Sequence, residues 1–276
     1  MRIVALLAAY NEVRFIASCI EHFAEQGVEI YLLDNGSTDG TVAIAEKYRK
    51  QGLAGVESIR RDSCFALLPL LKRKEELCQE LSADWFLHID TDELHMPTPA
   101  HKTLAEALKA VDAQGYNAVN FLEYTFIPTK ESPDHDHANF QETMRWYYPF
   151  LPSFPHRLNA WKRQSQPVEL SWSAGHRVRF ADLRMYPESF SMKHYLVLSR
   201  EQAINKYMNR RRAEADLQMG WGRARAALKP ESFVLPSQSE LHAYAGNYVF
   251  DASNPRTKHF WDPSWQESCA AGLQAG

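Results

Sequence analysis

The chain has 276 residues, 45% of them hydrophobic and 24% charged, which suits one large α/β domain or two small ones of ordinary globular composition. Its net charge of −3 excludes a general electrostatic attraction for nucleic acid. Cys19, Cys64, Cys78 and Cys269 show no Cys-x-x-Cys spacing, so no zinc or redox pair is expected and the thiols read as reduced and cytosolic.

Ile3 to Ala9 is a continuous apolar run, the pattern of a strand buried on both faces of a parallel sheet. It is too short to span a membrane, and Tyr10-Asn11-Glu12 stands where a signal cleavage site would be expected. No later run approaches a membrane span, so a cytoplasmic protein is expected. Asn11 is placed to cap a helix carrying Val13, Ile16, Ile20 and Phe23, and Gly27 ends it. Val28 to Leu33 reads as a second strand, followed by Asp34-Asn-Gly-Ser-Thr-Asp-Gly-Thr41 and a helix carrying Val42, Ile44, Ala45 and Tyr48. Val56 to Ile59 is a short third strand, and residues 65–81 form a helix with Pro69 near its start. A strand over 84–90, a helix over 99–113 and a strand from Tyr116 to Tyr124 complete the first half.

This alternation predicts a Rossmann-like, mostly parallel sheet flanked by helices. Ligands of such sheets bind at the carboxyl ends of the strands. The polar clusters fall at those ends: Asn11-Glu12, Asp34-Asn35, Arg60-Arg61-Asp62 and Asp90-Thr91-Asp92-Glu93. In the last of them a buried strand runs into three carboxylates, which repel and resist desolvation unless a cation joins them. Asp90 and Asp92, at i and i+2, suit a hard divalent cation with oxygen ligands. There is neither Gly-x-Gly-x-x-Gly nor Gly-x-x-x-x-Gly-Lys-Ser/Thr, so a phosphate ligand would rest on metal and arginine. Arg73, on the helix leading into the metal strand, is one candidate; a solvated helix charge is its plainer reading.

Ala9-Tyr-Asn-Glu12, Leu33-Asp-Asn-Gly-Ser-Thr-Asp-Gly-Thr41 and Asp84-Trp-Phe-Leu-His-Ile-Asp-Thr-Asp-Glu93, in that order and spacing, resemble the signatures of family 2 glycosyltransferases with the GT-A fold, and most closely a bacterial subgroup with an Asp-x-Asp-Glu motif. The resemblance covers residues 1–125. It implies a nucleotide-sugar half over 1–125 and an acceptor-side half over 126–276 within one compact domain. It places Ala8, Tyr10 and Glu12 at the nucleoside, Asp34 at the base, Arg73 near the diphosphate, Asp90 and Thr91 at the ribose or a metal-bound water, and Asp92 on Mn²⁺ or Mg²⁺. The implied donor is a UDP-sugar. The acceptor is a glycan, a lipid-linked molecule or a small molecule; the oligomeric state is open.

Residues 126–175 change character, with Pro, His and aromatic residues that predict loops and short strands around an acceptor groove. Asp134-His135-Asp136-His137 reads as a mobile loop and lid rather than a second metal centre. The Glu-Asp pair that commonly holds the family's base is absent. His176, in Trp172-Ser-Ala-Gly-His176, is a candidate base or third metal ligand; Glu93 and Asp182 are further catalytic candidates and Glu169 a weaker one. Met192-Lys-His194-Tyr195 ends a strand from Phe190 to Leu198, and His194 is similar to the late metal-ligand histidine of many GT-A enzymes. Ser199 and Gln202 form a capping pattern opening a long helix to about Leu217, followed by 221–228. Lys206, Arg210, Arg211 and Arg212 make a basic stripe, of which one or two are expected to reach a diphosphate or an anionic acceptor. The tail from 230 is expected to pack across the body, with residues 270–276 frayed.

The leading expectation is a metal-dependent, inverting glycosyltransferase that uses a nucleoside-diphosphate sugar. The rivals are a nucleotidylyltransferase, disfavoured by the acidic loop after the first strand, and a non-catalytic nucleotide-sugar-binding protein on the same scaffold.

Overall fold

A computed structural model describes residues 1–62, 64–246 and 248–269; the tail expected to fray lies outside them. Its elements in chain order are β1 (Ile3–Ala9), α1 (Ile16–Glu25), β2 (Glu29–Asp34), α2 (Thr41–Ala45), β3 (Leu53–Ser58), α3 (Leu67–Glu80), β4 (Trp85–Ile89), β5 (Glu93–Met96), α4 (Leu104–Ala113) and β6 (Ala118–Phe126). They continue with α5 (Phe140–Thr143), β7 (Trp146–Phe150), β8 (Arg157–Lys162), β9 (Phe190–Tyr195), α6 (Arg200–Met208), α7 (Glu214–Gln218), α8 (Arg223–Ala226) and β10 (His242–Ala243).

The expected α/β fold is borne out. One sheet runs in the order β10-β7-β6-β8-β4-β1-β2-β3. Its parallel core is β4-β1-β2-β3, laid down by the strand–helix alternation of the first half. Period-two burial divides that core between two layers. Ile3, Ala5 and Leu7 meet α1 and α4 through Ile20, Phe23, Leu104 and Leu108. Val4 and Leu6 face α3 through Leu71, Leu77 and Cys78.

Beyond β4 the sheet turns antiparallel, through β8, β6 and β7. One edge of β6 is shared: β8 pairs with it up to Phe121 and β9 runs parallel from Phe121 onward. The switch is fixed by Asn120, fully buried, whose Oδ1 accepts the N–H groups of His156 and Arg157 at 3.2 and 3.1 Å. β5, absent from the expected elements, pairs antiparallel with β9 and leads straight out of the carboxylate turn.

Helix ends differ from expectation where side chains found other partners. Asn11 does not cap α1: it takes a positive φ of 55°, and its Oδ1 accepts the Thr38 N–H at 2.8 Å, so the helix begins at Ile16. α4 starts at Leu104, where the Thr103 hydroxyl accepts the Glu106 N–H. Ser199 caps α6 as expected, but that helix ends at Met208, and residues 209–228 continue as two short helices joined by turns. The aromatic tail packs as expected, with Phe233, Phe260, Trp261 and Trp265 joining Tyr207 and Tyr148 in one cluster. No helix among the described residues is long and apolar enough to cross a membrane.

Gly27 clasps α1 onto α4. Its φ is +73°, and a Cβ there would lie 2.8 Å from the Ala105 Cβ. Gln26 accepts the Leu104 and Ala105 N–H groups beside it. Gly27→Ala should therefore combine left-handed strain with overpacking and cost about 1–3 kcal/mol. A urea melt should show a lower midpoint with an unchanged m value.

Candidate active site

The carboxyl ends of β1, β2 and β4 open into a cavity of about 370 Å³. Ala8, Tyr10, Glu12, Asp90, Thr91, Asp92, Glu93, His176 and His194 all line it, so nine of the expected site residues converge. A second, polar cavity of about 470 Å³ adjoins it and shares Tyr10, Glu12, Lys206 and Arg210.

The Asp34–Thr41 stretch is scaffolding for the first strand end. Asp34 accepts the N–H groups of Gly36 and Ser37, closing the turn. Ser37 Oγ then accepts the Asn11 N–H, and Thr41 Oγ1 accepts the Glu12 N–H at 2.8 Å. Asp34 itself does not line the cavity; its neighbour Asn35 does, held by Arg61 at 3.0 Å, and that guanidinium lies 3.6 Å over the Tyr10 ring. This corrects the expected place of Asp34. Glu12 is raised to about 7 by burial, with Lys206 opposing and Asp92 adding to the rise.

The four residues of the carboxylate turn divide. Asp90 is exposed, while Thr91, Asp92 and Glu93 are buried. Asp92 Oδ2 accepts from Lys206 Nζ at 2.7 Å and stands 3.8 Å from His194 Nε2. Burial opposes its charge, yet Lys206 and His194 hold it well below the usual carboxylate range. His194 gives its other nitrogen, Nδ1, to Glu123 Oε1 at 2.6 Å. Burial would lower its pKa, but Glu123 and Asp92 together raise it to about 10. Glu93 is tied by one oxygen to Arg157 at 3.2 Å, while its Oε2 has no hydrogen-bond partner among the described residues. Burial, resisted by Arg157 and helped by Asp90 and Asp92, raises it to about 7.

Among the described residues, no three His, Cys, Asp or Glu side chains stand together as a ready metal site. Asp92 and His194, 3.8 Å apart, are near enough to reach one cation that takes its other ligands from a bound molecule, provided that His194 gives up its proton and Lys206 its hold on Asp92. Glu123 stands behind His194 in the position from which carboxylates orient histidine rings.

Several site residues carry no sequence signal beyond being polar in apolar surroundings. Glu123 is buried in β6, and besides His194 it accepts from Arg157 Nε at 2.8 Å and faces His156 Nε2 at 3.3 Å. Burial alone would raise it; Arg157 and His194 hold it well below the ordinary range. Lys74, 1% exposed, lines the deep end of the cavity, with Nζ 3.1 Å from His88 Nδ1 and 3.3 Å from the Ile89 carbonyl. Burial lowers it to about 8, against Asp90 and Glu93.

Arg73 is a correction. It turns away from the cavity into Glu57, Glu76 and Glu80, at 2.8, 2.9 and 2.7 Å, because its position in α3 faces β3 and solvent. The cation that α3 does send into the cavity is Lys74. Asp182 is a third correction: it is exposed on a turn with φ 55°, where its carbonyl accepts from Asn117. Glu169 likewise is spent on Arg179 at the surface. His176 does line the cavity, its ring 5.3 Å from that of His156, and burial and then Arg157 push it well below its usual range, leaving it neutral. The Asp134–His137 loop is tied down rather than free. His135 is buried and its Nδ1 lies 2.9 Å from Thr143 Oγ1, and Asp136 pairs with Arg14 at 2.5 Å.

Residues 5–165 match glycosyl transferase family 2. The match extends past the region of sequence resemblance and takes in β6, β7 and β8. No curated protein matches the chain. Among solved structures, TarS 1–349 of S. aureus in complex with UDP-GlcNAc is similar, at 20% identity over 47% of this chain and 35% of that one, with a TM-score of 0.33. The mannosyltransferase PcManGT from Pyrobaculum calidifontis, in complex with GDP-Man and Mn²⁺, is 22% identical over 44% of this chain and 35% of that one, with a TM-score of 0.32. Glucosyl-3-phosphoglycerate synthase from Mycobacterium tuberculosis, with Mn²⁺, UDP and phosphoglyceric acid, is 21% identical over 45% and 43%, with a TM-score of 0.30. The chain thus spans about a third to two fifths of the length of these proteins.

The charge on His194 has a consequence for stability. Its folded pKa, about 10, lies above the unfolded value near 6.5. Its stabilising contribution is therefore complete below about pH 6.5 and is lost as pH rises through about 10. In chelator, the unfolding midpoint should fall over that window, and His194→Gln should flatten the fall.

Proposed function

The chain belongs to glycosyl transferase family 2, and on that premise we propose that it transfers a sugar from a nucleoside-diphosphate donor, UDP-linked in the first instance, to a hydroxyl acceptor with inversion. The observation that carries the proposal is the meeting of two different carboxylates in one cavity. Asp92 is held anionic beside His194, while Glu93 keeps one oxygen unpartnered.

Asp92 and His194 would hold Mn²⁺ or Mg²⁺, with Asp90 at the exposed edge of the site. The ion supplies Lewis-acid neutralisation of the departing diphosphate. Glu12 lies where a ribose hydroxyl would be recognised, and Tyr10 with Arg61 walls the nucleoside side. Lys74, not Arg73, is the cation that α3 contributes to the cavity. Glu93 is the candidate base: its pKa of about 7 suits proton abstraction near neutrality, and Oε2, buried and without a hydrogen-bond partner among the described residues, is the oxygen left to take the proton of the acceptor hydroxyl. Arg157 fixes the other oxygen and so aims the free one. A single base and one in-line displacement give inversion. His176 is neutral and lines the cavity, and Trp221 is the aromatic residue of the wall available to a glycan, lipid-linked or small-molecule acceptor. Free thiols at Cys19, Cys64, Cys78 and Cys269 accord with a cytoplasmic setting.

Incubating the protein with UDP- and GDP-sugars and Mn²⁺ should release nucleoside diphosphate rather than pyrophosphate, which separates transfer from nucleotidyl chemistry. Asp92→Ala should abolish metal-stimulated turnover; full activity in that variant would remove the metal role. Glu93→Gln should lower kcat by about 10²–10⁴ while donor affinity holds. Because the base must be ionised, kcat/KM should rise with pH up to about 7 in the wild type, and this limb should vanish in Glu93→Gln.

A further inference from the structure

Residues 209–228 lie beyond the 5–165 matched by the family and form a strap along one side of the cavity. Three contacts dock it. The Phe65 N–H donates to the Arg211 carbonyl at 2.7 Å, and the Ala213 N–H to the Phe65 carbonyl at 2.8 Å. Asp216, 1% exposed, accepts the N–H groups of Leu67 and Leu68 at 2.6 and 3.3 Å. It thereby serves α3 as a cap supplied from a distant part of the chain, where the helix dipole favours a carboxylate.

Docked in this way, the strap brings Arg210, Arg212 and Arg225 to the cavity. No ion pair involves any of the three among the described residues; Arg210 and Arg212 rest on the Phe65 ring and Arg225 on that of Tyr207. By contrast Arg157 is neutralised by two carboxylates and Arg73 by three. Arg212 pays visibly for the crowding: burial first, then Arg225 and Arg210, lower it to about 10. Gly222 leaves room for it, since a Cβ there would lie 2.6 Å from the guanidinium. The nearby cation Lys206 is already committed to Asp92.

Like charges gathered at a cavity wall with no direct ion-pair partner among the described residues, Asp216 and Glu12 acting on them only from a distance, gain when a polyanion arrives, and guanidinium groups match phosphate oxygens in bidentate fashion. We propose that the strap is the diphosphate-binding element of this protein, with Arg210, Arg212 and Arg225 gripping the donor's diphosphate and the released nucleoside diphosphate, and Asp216 latching the strap on α3. The proposal rests on the donor reading above and names the residues that carry out one part of it.

Calorimetric titration with UDP, GDP, uridine and inorganic pyrophosphate tests it. The double variant Arg212→Ala/Arg225→Ala should bind UDP and pyrophosphate about 10- to 100-fold more weakly, from the usual strength of charged hydrogen bonds, with uridine affinity and thermal midpoint unchanged. Asp216→Asn should weaken UDP binding in the same direction and speed tryptic cleavage within 209–228 in the absence of nucleotide. Unchanged UDP affinity in the double variant, or equal losses for UDP and uridine, would overturn the strap's role and leave the donor reading standing. Wild-type protein that holds pyrophosphate but neither UDP nor GDP would refute the donor reading and keep the anion site. Binding of none of these would overturn both.

Discussion

At the point where β8 gives way to β9 along β6, one fully buried carboxylate, Glu123, holds Arg157 from β8 and His194 from β9, with His156 close by. The rest of the site hangs on this junction. Arg157 passes on to Glu93, and His194 reaches toward Asp92, so a single charge is linked to both carboxylates of the turn. An ionised group this deep is costly in isolation, and removing one partner of such a network commonly costs about 3–5 kcal/mol. Its environment is therefore arranged to satisfy it several times over. The sheet fork is what makes that possible, because it lets two strands meet the same edge of β6 and send cations to one point.

The cavity is divided electrically. Acidic groups from β1 and from the β4–β5 turn occupy one side: Glu12, Asp90, Asp92 and Glu93. Cations come from elements that close over them: Lys74 from α3, Lys206 from α6, and the strap arginines. Lys206 bridges the two sides through Asp92. Such a division suits a ligand that is itself a dianion accompanied by a metal, since each part of that pair finds its complement. It also assigns different work to chemically alike residues. Asp92 is held ionised by two cations, whereas Glu93, one residue on, is pushed toward neutrality by burial. This is the usual sign of carboxylates with separate roles.

Some residues were legible from sequence because their signal was local. The β1 run, the Asp-Asn-Gly-Ser-Thr-Asp-Gly turn and the Asp-Thr-Asp-Glu cluster each declare themselves within ten positions, and in the structure Glu12, Asp90, Asp92 and Glu93 share one cavity. Asp34 illustrates the limit: its motif was plain, but its oxygens are used within its own turn. Arg73 and Lys74 illustrate it more sharply. They are adjacent in sequence and carry the same charge, and about 100° of helical rotation sends one to three surface glutamates and the other into the site.

The sequence by itself determined the alternation of strand and helix, the parallel core and the position of the acidic turn, because hydrophobic period and strand-end polarity act over short stretches of chain. Only the tertiary structure decided which groups answer those carboxylates. Glu123, Arg157, His194, Lys206 and Asp216 find partners from 34 to 149 positions away. No local pattern encodes such pairings. They follow from where the sheet forks and where the strap docks, and burial then makes each pairing obligatory.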